Sequence, residues 1–198
     1  MSSTSLFRPA LLANVENPRR SLTAEIPIVV AASLFVAICA HISVPMPFTP
    51  VPTTMQPFAV ILVGMLLGPV SGFAAMTLYL VEGATGLPVF TPQGPGGIAQ
   101  LLGPTAGYLF SYPLAAAVAG AIVRLSRRLM PAFPAALLAG SLALLPVFSM
   151  GAFWLGHVLR LPPAAAIHLA ITPFLLAEAL KLCAAAAAYT AFHTARRA

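Results

Sequence analysis

The chain alternates long apolar segments with short polar ones, which predicts hydrophobic helices joined by loops. The first apolar segment covers residues 27–44, about the minimum length for a membrane span, with Pro27 in its first turn. A proline-rich run over residues 45–57 ends it. Two short segments follow, over residues 57–67 and 70–82. Lipid cannot satisfy the backbone groups at their ends, so this pair either lines a cavity or forms a simple, well-packed hairpin.

Three more apolar segments complete the pattern. Two of them cover residues 104–125 and 133–156, and the third reaches Arg196. The third segment begins either at Ala164 or at Thr172-Pro173, where a cap residue precedes a first-turn proline. The pattern therefore predicts an all-α, polytopic membrane protein with six transmembrane helices and polar loops that cover one end.

Composition supports the membrane assignment. Hydrophobic residues make up 60% of the 198 residues and charged residues 7%, whereas a soluble domain carries roughly 25% charged residues. We therefore expect one six-helix membrane domain over residues 26–198, preceded by a cytoplasmic leader over residues 1–25. The net charge of +6 is interpreted as a topology signal rather than as nucleic-acid binding.

The distribution of basic residues predicts the orientation. With six helices and the N-terminus inside, one basic residue, Arg160, falls at the outer ends of the helices. The others fall on the inner side: Arg8, Arg19, Arg20, Arg124, Arg127, Arg128, Arg196 and Arg197. This bias predicts a multi-pass protein of a bacterial inner membrane, with both termini in the cytoplasm. The two polar loops and the connection before the last helix then lie outside, where they close over one pocket.

Those two loops are polar but almost uncharged. From residue 48 to residue 108 the one formal charge is Glu82, while Thr, Gln and Tyr side chains supply neutral donors and acceptors. Such loops suit a neutral, multiply hydrogen-bonding solute, and aromatic rings there can stack on it. The candidate contacts in this stretch are Thr53, Gln56, Tyr79, Phe90, Gln93 and Tyr108.

Three ionisable residues lie in or at the edge of apolar segments and are candidate binding residues for that reason. Glu178 and Lys181 stand three apart, on one helical face, and can neutralise each other while keeping hydrogen-bonding capacity for a ligand. The alternative is an ion pair that only makes the bundle interior hydrophilic. Glu82, at the end of the third segment, is either a ligand contact or a surface carboxylate.

Several chemistries lack their motifs. The sequence has no phosphate-binding loop, no nucleophile elbow and no paired zinc-binding histidines, and its four His residues are scattered. We therefore predict no enzyme activity, no metal site, no cofactor and no ATP hydrolysis by the chain itself. Cys39 and Cys183 lie in apolar segments and are expected to be buried thiols.

The ordered runs PMPFTPVPTTMQ, LYLVEGATGLPVF and LLGPTAGYL, followed by PF-x3-E-x2-K, are similar to those of a known family. The chain resembles the BioY family, the biotin-binding substrate (S) components of energy-coupling-factor (ECF) transporters. The resemblance implies a six-helix S-component fold in the bilayer with a biotin pocket near the outer surface. It also implies a membrane T component and paired ATPases as partners, which would use ATP on its behalf.

The sequence departs from the family pattern at two places. Where the family usually has PF-x-P-G-D-x2-K, this chain has PFLLAEALK, so Glu178 replaces an Asp and the Pro-Gly pair that bends the helix entry is absent. The small-residue face on the first helix, implied to dock the T component, has its nearest match at Ser33 and Ala37. Two alternatives stay open: an S component for another vitamin, such as thiamine or riboflavin, and a membrane enzyme acting on a lipid or peptide.

Overall fold

The structure, a computed structural model, describes residues 22–196 and is almost entirely helical. The elements in chain order are α1 (Leu22–His41), β1 (Ser43–Val44), β2 (Thr53–Thr54), α2 (Gln56–Leu67), α3 (Pro69–Ala84), α4 (Gly97–Leu102), α5 (Ala106–Ser126), α6 (Ala132–Leu159), α7 (Pro163–Ala170), a 3-10 helix (Thr172–Phe174) and α8 (Leu175–Ala195). The all-α prediction is confirmed, apart from the two-residue strands. The predicted leader lies outside the described residues except for its last four, which belong to α1.

The first helix is shifted relative to its predicted bounds. It begins at Leu22, so Pro27 lies inside it rather than in its first turn. It ends at His41, because the chain then forms an antiparallel pair in which Ser43 faces Thr54. The pairing satisfies backbone groups of the proline-rich loop, whose prolines exclude a helix.

Two helices lie where the sequence predicts something simpler. The segment from 83 to 103, predicted as a loop, contains α4. The last predicted helix consists of α7 and α8, and the Thr172–Phe174 3-10 helix joins them. Both predicted starts therefore have a counterpart: Ala164 is the second residue of α7, and Thr172-Pro173 begins the 3-10 helix before α8. The entry to α8 is bent by Thr172-Pro173 rather than by the missing Pro-Gly pair.

Glycines allow α2 and α5 to pack closely. A Cβ atom at Gly64 would lie 2.3 Å from the carbonyl oxygen of Ala116, and one at Gly120 would lie 2.5 Å from the carbonyl carbon of Gly68. Gly68 also has a φ of +89°, a conformation that favours glycine at the turn between α2 and α3. Arg124 Nη2 donates to the Leu67 carbonyl (3.1 Å) and caps α2 there.

The surface of the bundle is apolar, as a lipid environment requires. Three segments are long and apolar enough to cross a membrane: Ala106–Ser126, Ala132–Leu159 and Pro163–Ala195. Two shorter apolar helices cover Glu25–His41 and Gln56–Leu67. The protein is therefore a helical membrane protein.

The outer surface corrects two expectations drawn from the sequence. Cys39 is buried, but Cys183 is exposed, because it lies on the outward face of α8 beside Leu180. Ser33 and Ala37, the expected docking face, are both buried inside the chain. The outward face of α1 carries Ile26, Val30, Leu34 and Ile38 instead.

Candidate ligand-binding cavity

A cavity lies at one end of the bundle, beneath the two uncharged loops. Its free space is about 50 Å³, so the walls lie close together and a ligand must part them to enter. Its walls come from the β1–β2 loop, the first turn of α2, the loop before α4, and helices α4, α5, α6 and α8. The lining residues are Val51, Pro52, Thr53, Thr54, Gln56, Pro57, Phe90, Thr91, Gln100, Thr105, Tyr108, Leu109, Tyr112, Val147, Phe148, Phe174 and Glu178.

Hydrogen bonds hold the covering segments together over this cavity. The Thr49 hydroxyl donates to the Leu169 carbonyl (3.1 Å), which ties the β1–β2 loop to the end of α7. The Tyr108 hydroxyl donates to the Ala170 carbonyl (2.8 Å), which ties α5 to the same place. The two uncharged loops line this cavity, and the end of α7 is hydrogen-bonded beside it.

The only salt bridge among residues 22–196 lies at the floor of this cavity. Lys181 Nζ donates to Glu178 Oε1 at 2.6 Å, and the two side chains are 9% and 7% exposed. Glu178 lines the cavity, whereas Lys181 does not and is bonded to Glu178. Glu178 Oε2 is buried and has no partner in the described part of the chain. The carboxylate therefore offers a free acceptor to a ligand, and the ammonium offsets its charge.

A buried hydrogen-bond chain fixes one wall of the cavity. The Thr54 hydroxyl donates to Gln56 Oε1 (3.1 Å), and Gln56 Nε2 donates to the Tyr79 hydroxyl (2.6 Å). That hydroxyl in turn donates to the Val89 carbonyl (3.0 Å). The Phe90 ring packs edge-on against Tyr79, with centroids 5.4 Å apart. Tyr79 is fully buried behind the wall, so it positions Gln56 and Phe90 rather than facing the cavity.

Sequence reasoning missed Gln100 as an individual contact. This residue lies on α4, lines the cavity and is buried. Its Nε2 donates to the Thr105 hydroxyl (2.7 Å), and its Oε1 has no partner in the described residues. In the sequence, only its position in an uncharged polar loop pointed to Gln100. Because no helix was predicted there, nothing distinguished Gln100 from the other residues of that loop.

The structure separates two of the predicted contacts from this cavity. Glu82 Oε1 accepts a hydrogen bond from Ser33 Oγ (3.0 Å), which joins α3 to α1. Gln93 Oε1 accepts from Ser43 Oγ (2.6 Å) and makes a short contact with Thr91 Oγ1. Gln93 lines a second cavity beside the first.

The nine predicted contacts therefore fall into three groups. Five of them line the main cavity: Thr53, Gln56, Phe90, Tyr108 and Glu178. Tyr79 and Lys181 lie behind the wall, and Gln93 and Glu82 lie outside it. Within residues 22–196, no cluster of three His, Cys, Asp or Glu side chains is placed to hold a metal ion.

Comparison with known proteins decides the family. The model of the BioY family matches residues 12–198. The chain belongs to the BioY family. A relative from Pyrococcus horikoshii, named a probable biotin transporter BioY, is 37% identical over 155 residues, which cover 75% of this chain and 85% of the relative. The biotin transporter BioY of Thermotoga maritima is 36% identical over 163 residues, which cover 79% and 90%.

The fold comparison agrees with this membership. A solved structure of the S-component for biotin from an ECF-type ABC transporter superposes with a TM-score of 0.79. The match covers 87% of this chain and 92% of the other, at 23% sequence identity. The described residues therefore have the fold of an S-component.

Proposed function

We propose that this protein captures biotin from outside the cell and serves as the biotin-binding S component of an ECF transporter. The observation that carries the proposal is the buried Glu178–Lys181 pair, in which Glu178 faces the cavity with an unpartnered oxygen. The relatives named as biotin transporters and the solved S-component for biotin support biotin as the ligand. This function is transport, not enzymatic conversion.

The chemistry of the cavity suits the ureido ring of biotin. That ring presents two N–H donors and one carbonyl acceptor, so a carboxylate and an ammonium side by side complement all of its polar atoms. In this arrangement Glu178 accepts one or both N–H groups, and Lys181 donates to the ureido oxygen. Because Lys181 lies behind Glu178, its contact requires a small rearrangement of its flexible side chain. The apolar wall of Leu109, Val147 and Phe174 would contact the rest of the fused rings.

Purified wild-type protein tests the binding step. We expect biotin to bind without ATP, metal or partner protein, to co-purify with the chain and to raise its melting temperature, because a ligand of the folded state stabilises it. The control variant is Arg196→Ala, because Arg196 lies roughly 27 Å along α8 from Glu178. It should leave the affinity for biotin unchanged. No heat and no stabilisation with excess biotin would overturn the proposal, and stabilisation by thiamine or riboflavin instead would reassign the vitamin.

Accumulation of biotin against a gradient would require partner proteins. The sequence lacks a phosphate-binding loop, so we infer that a membrane T component and ATPase subunits supply the energy. Proteoliposomes that hold this chain alone should not concentrate biotin when ATP is added. Concentrative uptake in that preparation would contradict the inference.

For the topology, we propose six membrane crossings by α1, α2, α3, α5, α6 and the α7–α8 pair, with both termini in the cytoplasm. Arg124, Arg127 and Arg196 support it, because they lie at the opposite end of the bundle from Arg160. In a cysteine-free variant in whole cells, a membrane-impermeant maleimide should label Arg160→Cys and spare Arg128→Cys. The reverse labelling would invert the orientation.

A further inference from the structure

A second cavity adjoins the main one and shares four of its lining residues. Its free space is about 100 Å³. The shared residues are Pro52, Thr91, Gln100 and Thr105. The remaining lining residues are Pro50, Gln93, Gly94, Pro95, Gly103 and Pro104. The two spaces therefore meet at a common boundary, and a ligand longer than the main cavity would reach the second one across it.

We propose that this second cavity holds the side-chain end of the ligand, and that it does so without a cation. A ligand with a neutral amide tail is then accepted as well as one with a carboxylate. The proposal rests on the proposed function, since the fused rings must occupy the main cavity for a tail to reach the second one.

The walls of the second cavity carry no charge. All residues that line it are Pro, Thr, Gln or Gly, and the one charged residue lining the main cavity is the acidic Glu178. The Lys181 ammonium lies behind that wall and is already bonded to Glu178 at 2.6 Å. A tail carboxylate therefore meets neutral partners, and neutralising it removes no bond to a fixed positive charge.

Gln100 can present either polarity to a tail. Its Nε2 donates to Thr105 Oγ1 (2.7 Å), which leaves Oε1 free to accept an N–H from an amide tail. A hydroxyl group both donates and accepts. If the Gln100 amide rotates by 180°, Thr105 donates to Oε1 and the Gln100 N–H groups become available to a carboxylate.

Gln93 adds a second neutral group to this cavity. Its Oε1 is occupied by the hydroxyls of Ser43 and Thr91. The Nε2 group is therefore the part of Gln93 available to a ligand oxygen, and both a carboxylate and an amide carry such an oxygen.

Gly94 provides the space beside Gln100. A Cβ atom at residue 94 would lie 1.7 Å from Gln100 Oε1, and the backbone of Gly94 is not left-handed. Alanine is therefore compatible with the backbone there, but its methyl group would displace the Gln100 amide into the cavity. This makes Gly94→Ala a local probe of the second cavity.

The experiment compares three ligands on the wild-type protein by calorimetry: biotin, biotin amide and biocytin, whose tail is an extended amide. We expect biotin amide to bind within about threefold of biotin, and biocytin to bind as well, because no bond to a cation is lost. If the amide binds about tenfold or more weakly, a cation reads the carboxylate and the inference is wrong, while the function stands. If none of the three binds, the proposed function itself fails.

Two variants locate the effect. We expect Gly94→Ala to weaken biotin and biocytin by about fivefold or more, and to leave unchanged an analogue that keeps the fused rings but lacks the side chain. Equal weakening of all three ligands would show that the cavity does not hold the tail. Should Gly94→Ala fail to fold, Gln93→Leu, which removes the amide of a residue that lines the second cavity and not the main one, should give the same pattern.

Discussion

Removing the negative charge of Glu178 tests whether the buried pair binds the ligand or only holds the helices. Glu178→Gln keeps the side-chain size but places an N–H2 donor where the ligand needs an acceptor. A hydrogen bond to a charged group contributes about 1.5–3 kcal/mol, and the exchange also leaves the Lys181 ammonium, 9% exposed, without its counter-charge. We therefore expect the affinity for biotin to fall roughly a hundredfold or more.

The same variant should lose stability, because breaking a buried ion pair costs about 3–5 kcal/mol. For a chain of this size that corresponds to a melting temperature lowered by roughly 6 to 20 °C. The double variant Glu178→Leu/Lys181→Met replaces both charges with apolar side chains of similar volume. It should recover much of the stability without recovering biotin binding, since neither side chain can bond the ureido group.

Calorimetry for affinity and thermal unfolding in the same detergent for stability measure both effects. Glu82→Gln is the matched control, because the same substitution is made outside the cavity, where the carboxylate accepts a hydrogen bond from Ser33. It should leave the affinity within about threefold of wild type. If Glu178→Gln binds biotin as tightly as Glu82→Gln does, or if the double variant regains binding, the carboxylate does not contact the ligand.

Two further predictions concern the frame of the cavity. Tyr79→Phe removes the hydroxyl that lies between Gln56 and the Val89 carbonyl. Biotin should then dissociate about tenfold faster while it associates at nearly the wild-type rate. Unchanged dissociation in a stopped-flow experiment would exclude this positioning role. Gly64→Ala would put a Cβ atom 2.3 Å from a carbonyl oxygen of α5. This clash should lower the free energy of unfolding by roughly 2 kcal/mol, and the melting temperature by several degrees. Gly103→Ala, with its nearest atoms at 3.5 Å, should change it little, and equal shifts would contradict the close packing of α2 against α5 as the cause.

Local chemistry was enough to predict the long helices and the charged pair. Long apolar runs in a chain with few charges require a membrane, and the spacing of Glu178 and Lys181 places both on one face wherever the helix begins. Each of these predictions depends on neighbours within one or two helical turns.

The sequence did not determine which of those residues share one space. Glu82 and Glu178 are both carboxylates at the ends of apolar segments. Glu82 accepts a hydrogen bond from Ser33 of α1, whereas Glu178 lines the cavity. Tyr79 was predicted to contact the ligand, but its hydroxyl is taken up by Gln56 and Val89 behind the wall. Partners such as these lie 10 to 49 residues away along the chain, so local patterns carry no information about them.

Gln100 is a residue of the cavity wall that local sequence patterns did not single out. Its helix α4 has six residues, too few for a hydrophobic period to reveal it. It enters the cavity wall because the β1–β2 loop, the segment before α4 and the bend before α8 fold over the same end of the bundle. The sequence by itself therefore determined the membrane environment, the long helices and the charged pair. Three buried side-chain oxygens of the described residues have no partner, on Glu82, Gln100 and Glu178, and the packing of distant segments decided that Gln100 and Glu178 line the cavity and Glu82 does not.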